Sequence, residues 1–245
     1  GNKLGACGIT DPGAGSDATS MKAPATKQGD YYILNGVKNF CTNGEVAETY
    51  TLFFSTNPAK GARGISAFIV EKGTPGFIFS KKETKMGIRA SPTYELSFNN
   101  CKIPAANLLG GEGRGLFVAQ STFDFSRPGV GAQACGIAQG ALDETINYVR
   151  FRKQFGQPII SFQAIQHMIA DSATKIEAAR GLLYNVNKMM DKLLKEAHAK
   201  SMVSGKTVFE EMRALNPGRI TKYSAMVKLY CGEMAMQVTT DCVQM

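Results

Sequence analysis

Tyr31-Tyr32-Ile33-Leu34-Asn35-Gly36-Val37-Lys38-Asn39-Phe40-Cys41 sets two β-prone runs on either side of an Asn-Gly pair. Both residues of such a pair tolerate positive φ, so a two-residue hairpin is expected between a strand over Tyr31 to Leu34 and another over Val37 to Cys41. Working outward, Thr49 to Ser55, Ile65 to Glu71, Phe77 to Ser80 and Tyr94 to Phe98 have the same character, with turn residues between them. No helical period intervenes, and the spacing predicts a compact antiparallel β barrel or sandwich up to about residue 108.

Beyond residue 111 the period changes. Cys135, Ala138, Leu142, Ile146 and Val149 recur at three and four residues, which is one stripe of a helix. Ile165, Ile169, Ser172, Ile176, Ala179, Leu183, Val186, Met190 and Leu193 hold the same alternation much longer, as a bundle or coiled-coil helix does. Gly156-Gln157-Pro158 supplies a stop between these two helices. Residues 201–218, with Gly205, Asn216, Pro217 and Gly218, form an irregular or partly helical connection. A third helix then carries Tyr223, Val227, Tyr230 and Met234 on one face. Pro128 is expected to interrupt or bend the first helix. The fold class is therefore α+β, with a β domain over 1–108 and long bundle helices over 109–245. Leu4-Gly5-Ala6-Cys7 opens directly on the β part and Asp241-Cys242-Val243-Gln244-Met245 stops within a helical pattern. Both ends thus read as cut, and a larger protein is expected.

Composition narrows the class. The 245 residues are 44% hydrophobic, enough for a sizeable core, and no apolar run approaches the roughly 20 residues of a bilayer-spanning helix. Six cysteines at 7, 41, 101, 135, 231 and 242 never form Cys-x-x-Cys, so reduced thiols in a reducing compartment are expected. His167 and His198 lie at no ligand spacing from a cysteine, and no metal site is expected. The net charge of +8 is scattered, without basic blocks or interleaved aromatics. A phosphate-bearing small molecule suits that pattern at least as well as a polynucleotide.

Few stretches carry chemistry. Thr10-Asp11-Pro12-Gly13-Ala14-Gly15-Ser16-Asp17 lets backbone N–H groups approach an anion, and it reads equally as a phosphate cradle or as a tight loop capped by Asp. It is no P-loop, because no Gly-Lys-Ser/Thr follows. Gly129-Val130-Gly131-Ala132-Gln133-Ala134 fits Gly-x-Gly-x-x-Ala formally, but it lacks a preceding strand and a βαβ unit; its small residues are expected to serve close helix packing. His167 reads as a surface histidine with no triad partner. Glu177 and Glu210-Glu211 read as solvated helix faces. From the residues alone, no reaction follows.

Taken in order, several of these pieces resemble the acyl-CoA dehydrogenase family of flavoproteins. Residues 9–17 are similar to its Thr-Glu-Pro-x-Ala-Gly-Ser-Asp loop, with Asp11 in place of Glu. Residues 34–44 are similar to the family's hairpin that ends in Trp-Ile-Thr-Asn, with Phe40 and Cys41 replacing Trp and Ile. Phe123-Asp124-Phe125-Ser126-Arg127-Pro128, then Arg152 to Ile159 with Phe162-Gln163, then Asp241 to Gln244 follow in the family's order. The resemblance implies a middle β domain and the first three helices of a C-terminal four-helix bundle, with the family's N-terminal helical domain outside this segment.

It also implies the chemistry: FAD-dependent α,β-dehydrogenation of an acyl-CoA thioester, with electrons passed to electron-transferring flavoprotein. Thr10, Gly15 and Ser16 would lie along the flavin and pyrophosphate, Ser16 also near the CoA, and Phe40 and Thr42 against the isoalloxazine. Arg152, Phe155, Gln163 and Gln244 would reach the FAD of a neighbouring subunit, which implies a homo-oligomer, a tetramer in this family. Asp124 and Arg127 would bind substrate. The family's carboxylate base stands either directly before the arginine corresponding to Arg127 or on a later loop. Ser126 occupies the first position, and a hydroxyl is too weak a base, so the base is expected after Met245, leaving no catalytic base in this segment, which alone is expected to be inactive. An acyl-CoA oxidase-like enzyme, or a non-catalytic DNA-associated or scaffold member, is the alternative. The expected compartment is a bacterial cytoplasm or a mitochondrial matrix.

Overall fold

The computed structural model describes residues 1–215 and 218–245. The chain falls into two compact units, residues 1–121 and 122–245. Asn216 and Pro217 of the expected connection lie outside the described residues.

The first unit is a two-sheet sandwich. One sheet joins β1 (Gly5–Gly8), β4 (Thr49–Ser55), β5 (Ile65–Glu71) and β8 (Leu108–Leu109), in that order. The other joins β2 (Ala25–Gln28), β3 (Tyr31–Thr42), β7 (Thr93–Pro104) and β6 (Phe77–Lys82). Alternating residues of the two inner faces, among them Tyr32, Leu34, Leu52, Phe54, Phe68, Leu96 and Phe98, fill one core. Phe77 stacks on Phe98 with ring centroids 4.9 Å apart. The opposite face of β4 and β5 is covered too. Phe53, Ile65 and Ala67 pack against Ala14, Met21 and Ala119, so the segment that follows β1 lies on the sheet.

Two expectations for this unit need correction. Asn35-Gly36 makes no hairpin: β3 runs through it without reversing. The Asn35 amide is taken by Pro24 O at 3.1 Å and its Oδ1 accepts from the Asn100 amide at 2.7 Å. The Asn-Gly signal therefore marks a bulge, with Asn35 facing Asn99 and Asn100 between the pairs Leu34/Cys101 and Gly36/Phe98. A Cβ on Gly36 would stand 3.1 Å from Ala23 Cβ, which is a second reason for glycine there. Next, the domain is not wholly antiparallel, because β1 runs parallel to β4 in the register Gly5/Thr49 to Gly8/Leu52. Of the barrel or sandwich expected, the sheets take the sandwich: β1 and β8 are the outer strands of one sheet, and β2 and β6 of the other.

Helix α1 (Gly115–Phe151) starts in the first unit and runs into the second; of the interruption or bend expected at Pro128, the interruption does not occur, and the helix is continuous through it. A short hairpin follows, β9 (Lys153–Gln154) and β10 (Gln157–Pro158), whose two-residue turn is Phe155-Gly156, with φ of 54° and 79°. Helix α2 (Gln163–Ser204) ends on Gly205 in the left-handed conformation, a glycine cap. Helix α3 (Val208–Leu215) opens on a capping box in which the Thr207 amide donates to Glu210 and the Glu210 amide to Thr207 Oγ1. Helix α4 (Arg219–Gln244) completes the unit.

Most of the expected stripes of α1 and α2 form the core of this second unit, with Ile146 and Ile169 half-buried against it, while Val149 is buried and Ile165 half-buried outside that cluster. On α4 the inward face is Ser224, Val227, Cys231, Met234 and Val238; Tyr230 lies outside it, 40% exposed. The residue beside it, Cys231, takes the inward position. Glu211 is also not solvated: it is 8% exposed and accepts from Ser204 Oγ at 2.7 Å. Gly131 is buried, and a Cβ there would meet Val227 Cγ1 at 2.6 Å, so α1 and α4 pack closely where the small residues fall. Among the described residues no helix is long and apolar enough to cross a membrane.

Candidate functional site

In the first unit the Gly-rich loop and the end of β3 form one local structure. Asp11 and Ala14 exchange backbone hydrogen bonds at 3.1 and 3.2 Å around Pro12-Gly13. Asp17 caps the short 3₁₀ turn Ala18–Ser20 by accepting from the Thr19 amide at 3.2 Å. Gly15 and Ser16 are exposed between these fixed points, and a Cβ on Gly13 or Gly15 would meet nothing within 4 Å. The loop is thus fixed by an aspartate at each end and open in its middle.

The loop is tied to β3 directly. The Asn39 amide donates to Thr10 O at 2.7 Å. Between the pairs Lys38/Leu96 and Cys41/Tyr94, two residues of β3, Asn39 and Phe40, face one residue of β7. This bulge turns Phe40 out of the sheet with φ of 56°, and the ring is 63% exposed. A left-handed backbone costs a residue with a Cβ roughly 1–2 kcal/mol, and an outward phenyl recovers little of it from burial. Thr42, two residues on, is exposed as well, whereas Asn39 Oδ1 is buried without a hydrogen-bond partner.

Beneath the loop lies a pair that the sequence did not single out. Lys38 is fully buried and its ammonium bonds Asp11 Oδ1. Asp11 Oδ2 accepts from the Lys22 and Ala23 amides at 2.7 and 2.9 Å. The Lys38 Nζ also stands 4.8 Å from the centroid of Phe54. Burial pulls the Lys38 ammonium below its ordinary pKa, and the hydrogen bond and charge of Asp11 act the other way. The available signal was a lysine among inward-facing strand residues, in a chain with an aspartate at the head of a Gly-rich loop.

In the second unit, Asp124 and Arg127 come together on α1, with Arg127 Nη1 donating to Asp124 Oδ1 at 2.9 Å. Thr221 of α4 donates its hydroxyl to Asp124 Oδ2 at 2.6 Å, a partner on a distant segment that no sequence spacing reveals. Ser126 is exposed and its hydroxyl returns to Phe123 O at 3.3 Å. Arg152 and Phe155 sit at the β9–β10 hairpin, and Phe155 is 92% exposed with its ring edge towards Phe162. Gln163 is the exposed first residue of α2. Gln244, with Glu144, Thr145 and Tyr148, lines a cleft of about 430 Å³. His167 is exposed, as expected. Within this unit the expected residues form separate groups: Asp124 and Arg127 are half-buried on α1, whereas Phe155, Gln163 and Gln244 are exposed.

Comparison with known proteins points one way. The model of the acyl-CoA dehydrogenase middle domain matches residues 6–101, and that of the acyl-CoA dehydrogenase C-terminal domain matches residues 113–245. The chain is 45% identical over 245 residues to a short-chain-specific acyl-CoA dehydrogenase of Megasphaera elsdenii, covering 100% of this chain and 58% of that protein. Over the solved butyryl-CoA dehydrogenase of the same organism it superposes with a TM-score of 0.76 at 39% identity, covering 99% of this chain and 68% of that one. A structure from work on the electron transferring flavoprotein of Acidaminococcus fermentans and flavin-based electron bifurcation gives a TM-score of 0.84 at 46% identity, covering 100% and 58%. The chain therefore spans a little under three fifths of the length of the curated relatives it matches.

Proposed function

Because the chain belongs to the acyl-CoA dehydrogenase family, we propose that it forms the greater part of the flavin and substrate sites of an enzyme that removes the α and β hydrogens of an acyl-CoA thioester. The observation that carries this reading is the 2.7 Å bond from the Asn39 amide to Thr10 O, which joins a Gly-rich, anion-compatible loop to an outward aromatic. The residues present suit FAD. Gly15 and Ser16 leave backbone open for a pyrophosphate, Phe40 offers a free ring face, and the orphaned Asn39 Oδ1 awaits a donor. When bound, FAD supplies an acceptor for the β hydrogen and its electron pair.

The chain's own residues then divide the work. Thr10, Gly15 and Ser16 hold the pyrophosphate side and Ser16 also approaches the CoA. Phe40 would cover one ring face and exclude water from it, while Thr42 would donate a hydrogen bond at the ring edge. Asp124 and Arg127 orient the substrate. Arg152, Phe155, Gln163 and Gln244 serve the FAD of a neighbouring copy, so the working protein is a homo-oligomer, a tetramer in this reading. In this reading a carboxylate outside these 245 residues would take the α proton, and electron-transferring flavoprotein would accept the electrons. In this reading the domains are a middle β domain over 1–108 and bundle helices over 109–245.

The test is anaerobic mixing of the full-length protein with short-chain acyl-CoA. Rapid bleaching of the flavin absorbance, with slow recovery in air and fast recovery with electron-transferring flavoprotein, is expected. A protein that holds no flavin, or whose flavin no acyl-CoA bleaches, overturns the reading. Within it, Thr42→Val slows reduction more than it weakens acyl-CoA binding, since the bond matters most as hydride arrives. Arg152→Ala loosens FAD and the oligomer together.

A further inference from the structure

A lysine with no exposed surface is expensive to bury, and its charge is tolerated only beside a well-placed partner. Lys38 has that partner in Asp11, and Asp11 uses its second oxygen for the Lys22 and Ala23 amides. One carboxylate thereby joins three segments: the Gly-rich loop at residue 11, the chain at residues 22 and 23, and β3 at residue 38. The residue after Lys38 receives the loop through the Asn39–Thr10 bond, and the next is the bulged Phe40. An apolar pair of equal volume packs a core as well or better, so what an ion pair adds here is direction.

We propose that Asp11 and Lys38 are positioning residues for the flavin site, setting the register between the Thr10–Ser16 loop and the Phe40 bulge so that both meet one cofactor. The pair lies under the site and touches neither ring nor substrate; it acts through Thr10, Asn39 and Phe40. The proposal rests on the FAD-dependent reading above. Asp11 stands where the family's loop has Glu, and the shorter arm suits a lysine whose ammonium already reaches the core, 4.8 Å from the centroid of Phe54 and 3.8 Å from Met21 Sδ.

The experiment uses the full-length holoenzyme carrying Lys38→Met, Asp11→Asn, both together, or Asp11→Glu. Its readouts are the FAD dissociation constant, the visible circular dichroism of the flavin, its reduction potential, and hydrogen exchange at the Lys22, Ala23 and Asn39 amides. Each single neutral variant is expected to weaken FAD at least tenfold, alter the dichroism and potential, and speed exchange at all three amides. The double variant is expected to do no worse than the poorer single, because the two groups act as one. Asp11→Glu, which keeps the charge, restores most of the affinity. If Lys38→Met fails to fold because Asp11 is left charged and buried, the double variant carries the decision. A double variant with a lowered melting temperature but wild-type FAD affinity, dichroism and potential makes the pair merely structural and overturns the proposal. A wild-type protein that holds no FAD instead sinks the functional reading, and this proposal with it.

Discussion

The Thr221 hydroxyl donates to Asp124 Oδ2 at 2.6 Å, tying α4 to the one acidic side chain on α1 that also holds Arg127. Asp124 is thus fixed from two sides, by a guanidinium one turn along its own helix and by a hydroxyl 97 residues away in sequence. In the proposed reading this fixed carboxylate orients substrate, its two oxygens being already engaged by Arg127 and Thr221.

In the full-length enzyme, Asp124→Asn is expected to raise KM for acyl-CoA about tenfold, the worth of one lost charge-assisted hydrogen bond, while flavin reduction at saturating substrate persists. Thr221→Val shifts KM in the same direction by less. Reduction abolished with substrate affinity intact would make Asp124 the base.

Phe40 separates stability from function. Its left-handed backbone is strained and its ring is 63% exposed, so Phe40→Gly relieves strain and removes little packing. The melting temperature of the flavin-free protein is expected to hold or rise, while FAD affinity falls about five- to tenfold, as befits one aromatic contact of about 1 kcal/mol. Equal affinities for the variant and the wild type would remove Phe40 from the cofactor site.

Two glycines of the same helix should respond in opposite ways. Nothing lies within 4 Å of a Cβ at Gly129, so Gly129→Ala gains helix propensity of up to about 1 kcal/mol. At Gly131 the added methyl would meet Val227 Cγ1 at 2.6 Å, and overpacking a buried β-branched neighbour costs about 1–3 kcal/mol. Thermal unfolding should show Gly131→Ala melting several degrees below Gly129→Ala. Coincident melting curves would mean that α1 and α4 do not meet there.

Thiol reactivity reports the two cores. Burial pushes Cys41 and Cys231 up to about 12 and Cys101 to about 11, with Cys135 adding to the shift at Cys231 through a 3.7 Å sulfur contact. The thiolate is the nucleophile, and its fraction grows tenfold per pH unit below the pKa, so at pH 8 these three hold only about 10⁻³ to 10⁻⁴ of their thiols ionised. Iodoacetamide at pH 8 is expected to label Cys242 in the native protein and Cys41, Cys101 and Cys231 only after denaturation, as read by peptide mass spectrometry. Native labelling of Cys231 at the rate of Cys242 would show that the bundle core opens.

The order of structure along this chain was legible without coordinates. β-prone runs between turns, and then three-four stripes on α1 and α2, follow from the local periods of strand and helix, and those periods are properties of neighbouring residues. Ordered motifs likewise pointed to the acyl-CoA dehydrogenase family. What only tertiary structure decided was each place where a distant segment competes for a local group. Asn35-Gly36 has the composition of a hairpin, yet the strand runs on because Pro24 and Asn100 take the hydrogen bonds of Asn35. Tyr230 continues an apolar stripe, yet Cys231 is the residue that fits against α1. Lys38 reads as an ordinary strand charge until the fold brings Asp11 beneath it, and Thr221 carries no signal at all until α4 lies beside Asp124. A period records which face a residue takes; its partner is set by chain reversals tens of residues away, and those are enforced by packing and by the cost of leaving a buried polar group without a mate.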